Sequence, residues 1–218
     1  MGLRSAFTAL IVAAAAFTPM MAGAQSIGIA AGTQGGGLEV GMDISDMLAV
    51  RVNGNYFSIS RGVNGEDVDY DGDLRLMSFG LLGDLYLFES SFRLTAGGYL
   101  NRNKIDLTAT PTSSVEIGGT MYSPAQLGNL QGGARFRDFA PYAGLGYTSN
   151  RDDTGFRFVF DAGVMFQGGS NVFLNATGPA NGILGFAADL ERERADIKND
   201  VDDFRYYPVL KVGLAYAF

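Results

Sequence analysis

One pattern dominates the chain: apolar residues alternate with small or polar ones over long stretches. Met77, Phe79, Leu81, Gly83, Leu85 and Leu87 interleave with Ser78, Gly80, Leu82, Asp84 and Tyr86. Phe92, Leu94, Ala96, Gly98 and Leu100 interleave with Arg93, Thr95, Gly97, Tyr99 and Asn101. Phe156, Phe158, Phe160, Ala162, Val164 and Phe166 repeat the theme against Arg157, Asp161, Gly163 and Gln167. A period of two is the mark of a strand with unlike faces. Soluble strands average about 5–6 residues, and these runs are far longer. A β-sandwich would also alternate, with its polar face in water. Strand length and a polar face rich in glycine and small side chains favour a narrow closed barrel instead.

Beyond the N-terminal segment the sequence has no apolar stretch near the length of a membrane-spanning helix. A barrel needs none, because each strand crosses with about ten residues of which only alternate ones are apolar. The predicted strands are 26–33, 37–44, 48–61, 70–88, 91–107, 132–148, 155–175 and 205–218, an even count of eight. Gly32–Gly37 is read as a tight outer turn; read as part of one long strand it would leave seven. Short breaks at Asp43–Met47, Phe88–Ser91 and Ser149–Thr154 alternate with long ones at Gly62–Asp69, Thr108–Asp138 and Gly168–Phe204. That is the turn-and-loop asymmetry of bacterial outer-membrane barrels, and it puts both termini in the periplasm. Within the last long loop, Leu184–Phe204 reads as a helix with Leu190, Ile197, Val201 and Phe204 on one stripe. Glu191, Arg194 and Asp196 on that helix are spaced for local ion pairs. The predicted fold is therefore all-β: an eight-stranded antiparallel transmembrane barrel with a short helix in the last long loop.

Met1–Ala24 carries Arg4, an apolar run over Ala6–Phe17 and the small-residue pattern Ala22-Gly23-Ala24. We read it as a secretory signal removed from a barrel domain spanning 25–218. The chain has no Cys and no His, which excludes thiolate nucleophiles, Cys/His zinc sites and His-based triads. No activated nucleophile is apparent, and neither catalysis nor a cofactor is expected. The net charge of −7 argues against a nucleic-acid partner. Asp67 to Asp73 imitates the start of a calcium loop, but the twelfth place holds Ser78 rather than a bidentate acid; no metal site is expected there.

Parity along the strands places Glu39, Asp43, Arg51, Asp84, Arg93, Arg157, Asp161 and Lys211 inside the barrel. Charges in so narrow an interior must be paired or hydrated. They could line a constricted path for small solutes, or lock a lumen just wide enough for side chains. Tyr56, Phe92, Phe139, Tyr147, Tyr216 and Phe218 are placed for interfacial girdles. The final strand is apolar at every second place and ends on Leu214, Tyr216 and Phe218, like the C-terminal signal read by the barrel-assembly machinery.

The second half of the chain carries Val115–Gln126 (VEIGGTMYSPAQ), Gly132–Tyr147 (GGARFRDFAPYAGLGY), Phe160–Leu174 and Glu191–Phe218 in order. With the APYAGLGY and DDFRYYPV segments it resembles the CarO-like group of small outer-membrane porins. The resemblance implies an eight-stranded barrel linked to uptake of basic amino acids such as ornithine and, in some bacteria, to carbapenem susceptibility. Acidic outer loops with Glu66, Asp67, Asp69, Glu191, Glu193, Asp200, Asp202 and Asp203 would concentrate a cationic solute. The expected setting is the bacterial outer membrane, with its lipid and lipopolysaccharide as neighbours. The expected function is a narrow channel for small polar or cationic solutes such as basic amino acids; a barrel that does not conduct, and serves a structural or adhesive role through its extracellular loops, is the alternative.

Overall fold

A computed structural model describes residues 26–65, 67–87, 90–151 and 153–218. The predicted signal segment and Glu66 lie outside the described residues. Eight strands form the wall: β1 (Ser26–Gly32), β2 (Gly35–Asp43), β3 (Leu48–Asn64), β4 (Val68–Tyr86), β5 (Phe92–Asn101), β10 (Phe139–Thr148), β11 (Gly155–Phe166) and β13 (Tyr206–Ala217). Each pairs antiparallel with two neighbours, in the cyclic order β1-β2-β3-β4-β5-β10-β11-β13, and β1 returns to β13 with Ser26 opposite Ala217. Closure gives every wall strand a hydrogen-bonding partner on both sides, which lipid demands of any spanning structure. Gly32–Gly35 is the tight turn between β1 and β2, with Gly35 at φ +95°, so the count is eight and not seven.

The long predicted strands are divided. The run 91–107 splits at Arg102–Asn103 into β5 and β6 (Lys104–Pro111). The run 132–148 splits into β9 (Leu130–Arg135) and β10, and 155–175 into β11 and β12 (Asn171–Ala176). At the first break an asparagine side chain replaces the backbone: Asn103 Oδ1 accepts the Met77 N–H at 3.0 Å. At the last, the buried Gln167 joins three elements, donating from its backbone to the Arg205 carbonyl, accepting from Asn101 and donating from its side chain to the Phe204 carbonyl. Above these breaks β6, β9 and β12 continue from the upper half of β4 as an open sheet in the order β4-β6-β9-β12. The predicted Gly62–Asp69 loop shortens to a turn, because β3 and β4 stay paired out to Asn64 and Asp69. Asp69, Asp71 and Asp73 are therefore strand residues, not a calcium-binding loop.

A second core sits on this open sheet, outside the barrel. A hairpin of β7 (Val115–Ile117) and β8 (Thr120–Tyr122), a short α1 (Pro124–Leu127) and the helix α2 (Phe186–Asp202) close over it. Ala109, Ile117, Tyr122, Leu127, Leu130, Ala176, Ala180 and Phe186 are buried together, with Val68, Val115 and Leu190 against them. The helix starts two residues later than predicted, leaving Leu184 fully exposed, and ends in a single 3-10 turn, Asp203–Arg205. Phe186, rather than the predicted stripe residue Phe204, is its deepest anchor; Phe204 is exposed.

The outward face of the wall is apolar, with Ile29, Leu81, Phe92, Leu100, Phe139, Leu145, Phe156, Leu210 and Leu214 all exposed. Aromatic pairs mark its two rims. Phe92 stacks edge-on to Tyr147 at 5.2 Å, and Phe156, Tyr216 and Phe218 form a chain at the end carrying the termini. Phe166 and Tyr206 pair at 5.8 Å at the opposite end. Tyr56, on β3, is also exposed.

Candidate functional site: the charged barrel interior

Strand alternation sends Arg51 of β3, Asp84 of β4, Arg93 of β5, Asp161 of β11 and Lys211 of β13 inward, and all are buried. Glu39 of β2 joins them with a side chain 12% exposed. Arg51 holds the centre. Its Nε donates to Asp84 Oδ2 at 2.5 Å and its Nη2 to Asp84 Oδ1 at 3.1 Å. The same guanidinium reaches Glu39 Oε1 at 2.9 Å and the two Asp161 oxygens at 3.0 and 3.2 Å. Arg93 Nη2 donates to Asp161 at 2.7 Å, and Arg93 also donates to Thr148 Oγ1. Thr95 Oγ1 donates to Asp84 at 2.6 Å, and Lys211 Nζ to Glu39 Oε2 at 3.2 Å.

In the ring order β3 and β11 lie opposite each other. The Arg51–Asp161 pair thus spans the barrel from wall to wall. The network contains three cations and three carboxylates, so it is neutral as a unit. Neutral pairing with several hydrogen bonds per group is the condition under which charge is tolerated in a low-dielectric interior. Glycines make room for the large groups. A Cβ at Gly146 would lie 2.6 Å from the Arg93 guanidinium carbon, and one at Gly80 would lie 2.6 Å from the Tyr99 ring.

Asp43 and Arg157 stand apart from this network. They lie two inward-facing steps nearer the termini than Glu39 and Asp161 on the same strands, and are half-buried at the inner mouth. Arg157 donates to the carbonyls of Arg151 and Asp153, while Asp43 is 4.0 Å from the Arg151 guanidinium. Arg151 lies over the Tyr86 ring at 3.7 Å and donates to the Ser45 and Asp46 carbonyls, tying two turns together. A cavity of about 30 Å³, room for one or two waters, lies here between Glu39, Asp43, Arg51, Thr148 and Arg157.

Parity did not single out the layers toward the outer mouth. Tyr99 and Tyr142 cross edge-on at 5.5 Å above the charges, packed with buried Leu82, Ala140, Met165 and Val209. Beside them Asn55 donates to Asn53 and Ser78, and Gln34 donates to Ser78. Asn101, Asn103 and Gln167 form a buried amide collar at the outer mouth. Their signal in the sequence was amide residues at inward places of otherwise apolar or glycine-rich strands.

On the outer sheet, α2 is held at both ends by carboxylates. Tyr122 Oη donates to Asp189 at 2.7 Å; this bond holds the Asp189 carboxyl below its ordinary range and raises the Tyr122 hydroxyl. Asp202 accepts from Lys198, and from the backbone and hydroxyl of Ser170 at 2.6 and 2.7 Å. These bonds lower its pKa to about 2. They also account for an acid at a helix C-terminus, where the dipole disfavours negative charge.

An eight-stranded ring with an apolar belt, aromatic rims and a polar, filled interior has the architecture of the β-barrels that span bacterial outer membranes. Among solved structures the chain is similar to CarO2 of Acinetobacter baumannii, at TM-score 0.60 and 21% identity over 88% of this chain and 97% of that one. It is also similar to CarO of the same organism, at TM-score 0.58 and 18% identity over 89% and 98%. The resemblance read from the second half of the sequence thus extends, as a likeness of fold, along most of the chain. No protein-family model matches the sequence, and no curated protein matches it.

Proposed function

We propose that this is an outer-membrane barrel closed at rest by its own charges, and that it works through the sheet-and-helix platform on its outer mouth. The carrying observation is the Arg51–Asp161 pair between opposite strands, with Asp84 and Glu39 on the same guanidinium. A solute crossing the lumen would have to displace at least one buried ion pair. The Tyr99–Tyr142 layer and the amide collar stand in the same line. The platform, with its own apolar core, is the part that a partner outside the cell would meet. In this reading the membrane-embedded residues supply anchorage, and the chain carries out no catalytic step.

A second reading has one observation in its favour: the obstruction is polar. Glu39, Asp84 and Asp161 are carboxylates already engaged by guanidinium and ammonium groups. A small cation such as a basic amino acid could exchange with Arg51 or Lys211, in keeping with what the CarO-like resemblance implies. Planar-bilayer recording of the folded barrel separates the two. Silence supports the closed platform. Cation-selective steps that diminish with added ornithine or lysine would replace it with the narrow channel. Removal of Met1–Ala24 and recognition of Leu214, Tyr216 and Phe218 by the assembly machinery belong to the same proposal. N-terminal sequencing of the membrane-inserted protein should begin at Gln25.

A further inference from the structure

The outward face of β4, β6 and β9 changes character with height. Phe79, Leu100 and Phe139 lie in one register row, all exposed, within the apolar belt. Two outward-facing steps higher, Arg75 stands opposite Lys104 and Lys104 opposite Arg135. Arg102, 60% exposed, lies between the two levels. Above the cations the face turns acidic, with Asp73 opposite Asp106 and then Asp71 and Asp69. In a chain of net charge −7, cations thus gather at one height, directly above the membrane-facing wall.

Like charges on directly opposite residues repel. Asp106 relieves part of this, 3.1 Å from Lys104 and 2.5 Å from Arg135. Arg135 is further fixed over the Phe173 ring at 5.3 Å and by a bond to the Ile105 carbonyl. Asp73 accepts instead from Ser60, and among the described residues Arg75 has no ion-pair partner. Three cations thus share the single carboxylate of Asp106, and the row is short of negative charge, most of all beside Arg75, at the level where headgroups meet the wall.

We infer that Arg75, Lys104 and Arg135 form a binding site for the phosphate of an outer-leaflet lipid, whose acyl chains lie on Phe79, Leu100 and Phe139. Basic side chains at a membrane surface attract anionic headgroups, and the apolar row beneath supplies the chain contact. The site is on the outside of the wall and does not depend on whether the lumen conducts.

The test uses the full folded barrel in micelles and native mass spectrometry with diphosphoryl lipid A as the probe. The doubly substituted Arg75→Ala/Lys104→Ala barrel should bind it about 30-fold more weakly, from two cations near the surface. Arg75→Lys/Lys104→Arg should retain binding, and so should Arg61→Ala, which removes an exposed cation from the opposite face of β3. Fully dephosphorylated lipid A should bind the wild type as weakly as diphosphoryl lipid A binds the double-alanine variant. Unchanged affinity in that variant, or equal binding of the dephosphorylated lipid, would overturn the site. Displacement of the lipid by inorganic phosphate at matched phosphorus would reassign it to a free anion and overturn the lipid.

Discussion

Replacing Arg51 with alanine is the sharpest perturbation of the interior. Its guanidinium makes five hydrogen bonds to three carboxylates. After its loss none of the three is wholly deserted. Asp84 keeps Thr95 at 2.6 Å, Asp161 keeps Arg93 at 2.7 Å and Glu39 keeps Lys211 at 3.2 Å. Three acids would then share two cations, and one negative charge would be left uncompensated in the lumen. Breaking a buried pair from one side costs about 3–5 kcal/mol. The surviving partners put Arg51→Ala near the lower end, about 3 kcal/mol. With no Trp in the chain, urea unfolding in micelles is best followed by far-UV circular dichroism and by the mobility difference between unheated and boiled protein. The double variant Arg51→Ala/Asp161→Ala restores neutrality and should recover at least about 1 kcal/mol of the loss, as contacting residues in such cycles do. A single variant as stable as wild type, or a double variant at the additive sum, would refute the idea of a neutral interlocked network.

Other outcomes follow from the same geometry. Gly80→Ala should destabilise the barrel by about 1–3 kcal/mol by overpacking against Tyr99, seen as a lower urea midpoint. Phe186→Ala should cost about 3–5 kcal/mol locally, exposing the platform to protease while the barrel keeps its heat-dependent gel mobility. Asp189 and Asp202 have folded pKa values below the ordinary 3.8. Their contribution to holding α2 is therefore complete above about pH 4 and is lost as pH falls toward 2. Hydrogen exchange in 186–202 should accelerate across that interval and not between pH 5 and 7.

The barrel was legible because period two is a property of the wall itself. A residue such as Arg51 or Asp84 could be placed inside by counting from its apolar neighbours. Which charges meet was not legible, because Arg51 and Asp161 are far apart in sequence and become partners only through ring closure. The boundaries at Arg102, Phe136 and Gln167 were hidden for a related reason. A freestanding sheet alternates as a barrel wall does, and register runs on from β5–β10 into β6–β9 without a slip. What changes there is the neighbour lying over the inner face, a property of tertiary packing. The exterior core was missed likewise: Ile117, Tyr122 and Leu127 sit in short, irregular segments with no period to read, and only the fold brings Phe186 to them at a 5.0 Å ring separation from Tyr122.

The seam between β1 and β13 has a mechanical consequence. Strand β1 is seven residues long, the shortest stave of the wall, yet it bonds to the last strand on one side and to β2 on the other. Under tension or heat this stave should part first, since its two edges together hold fewer rungs than those of any other described wall strand. When it parts, the cylinder becomes a sheet with two bare margins facing acyl chains, where unsatisfied backbone groups are costly. A chain deprived of β13 would therefore not settle as a smaller barrel. It would stall as an unclosed intermediate, with β1 waiting for a partner some 190 residues downstream, at Ala217.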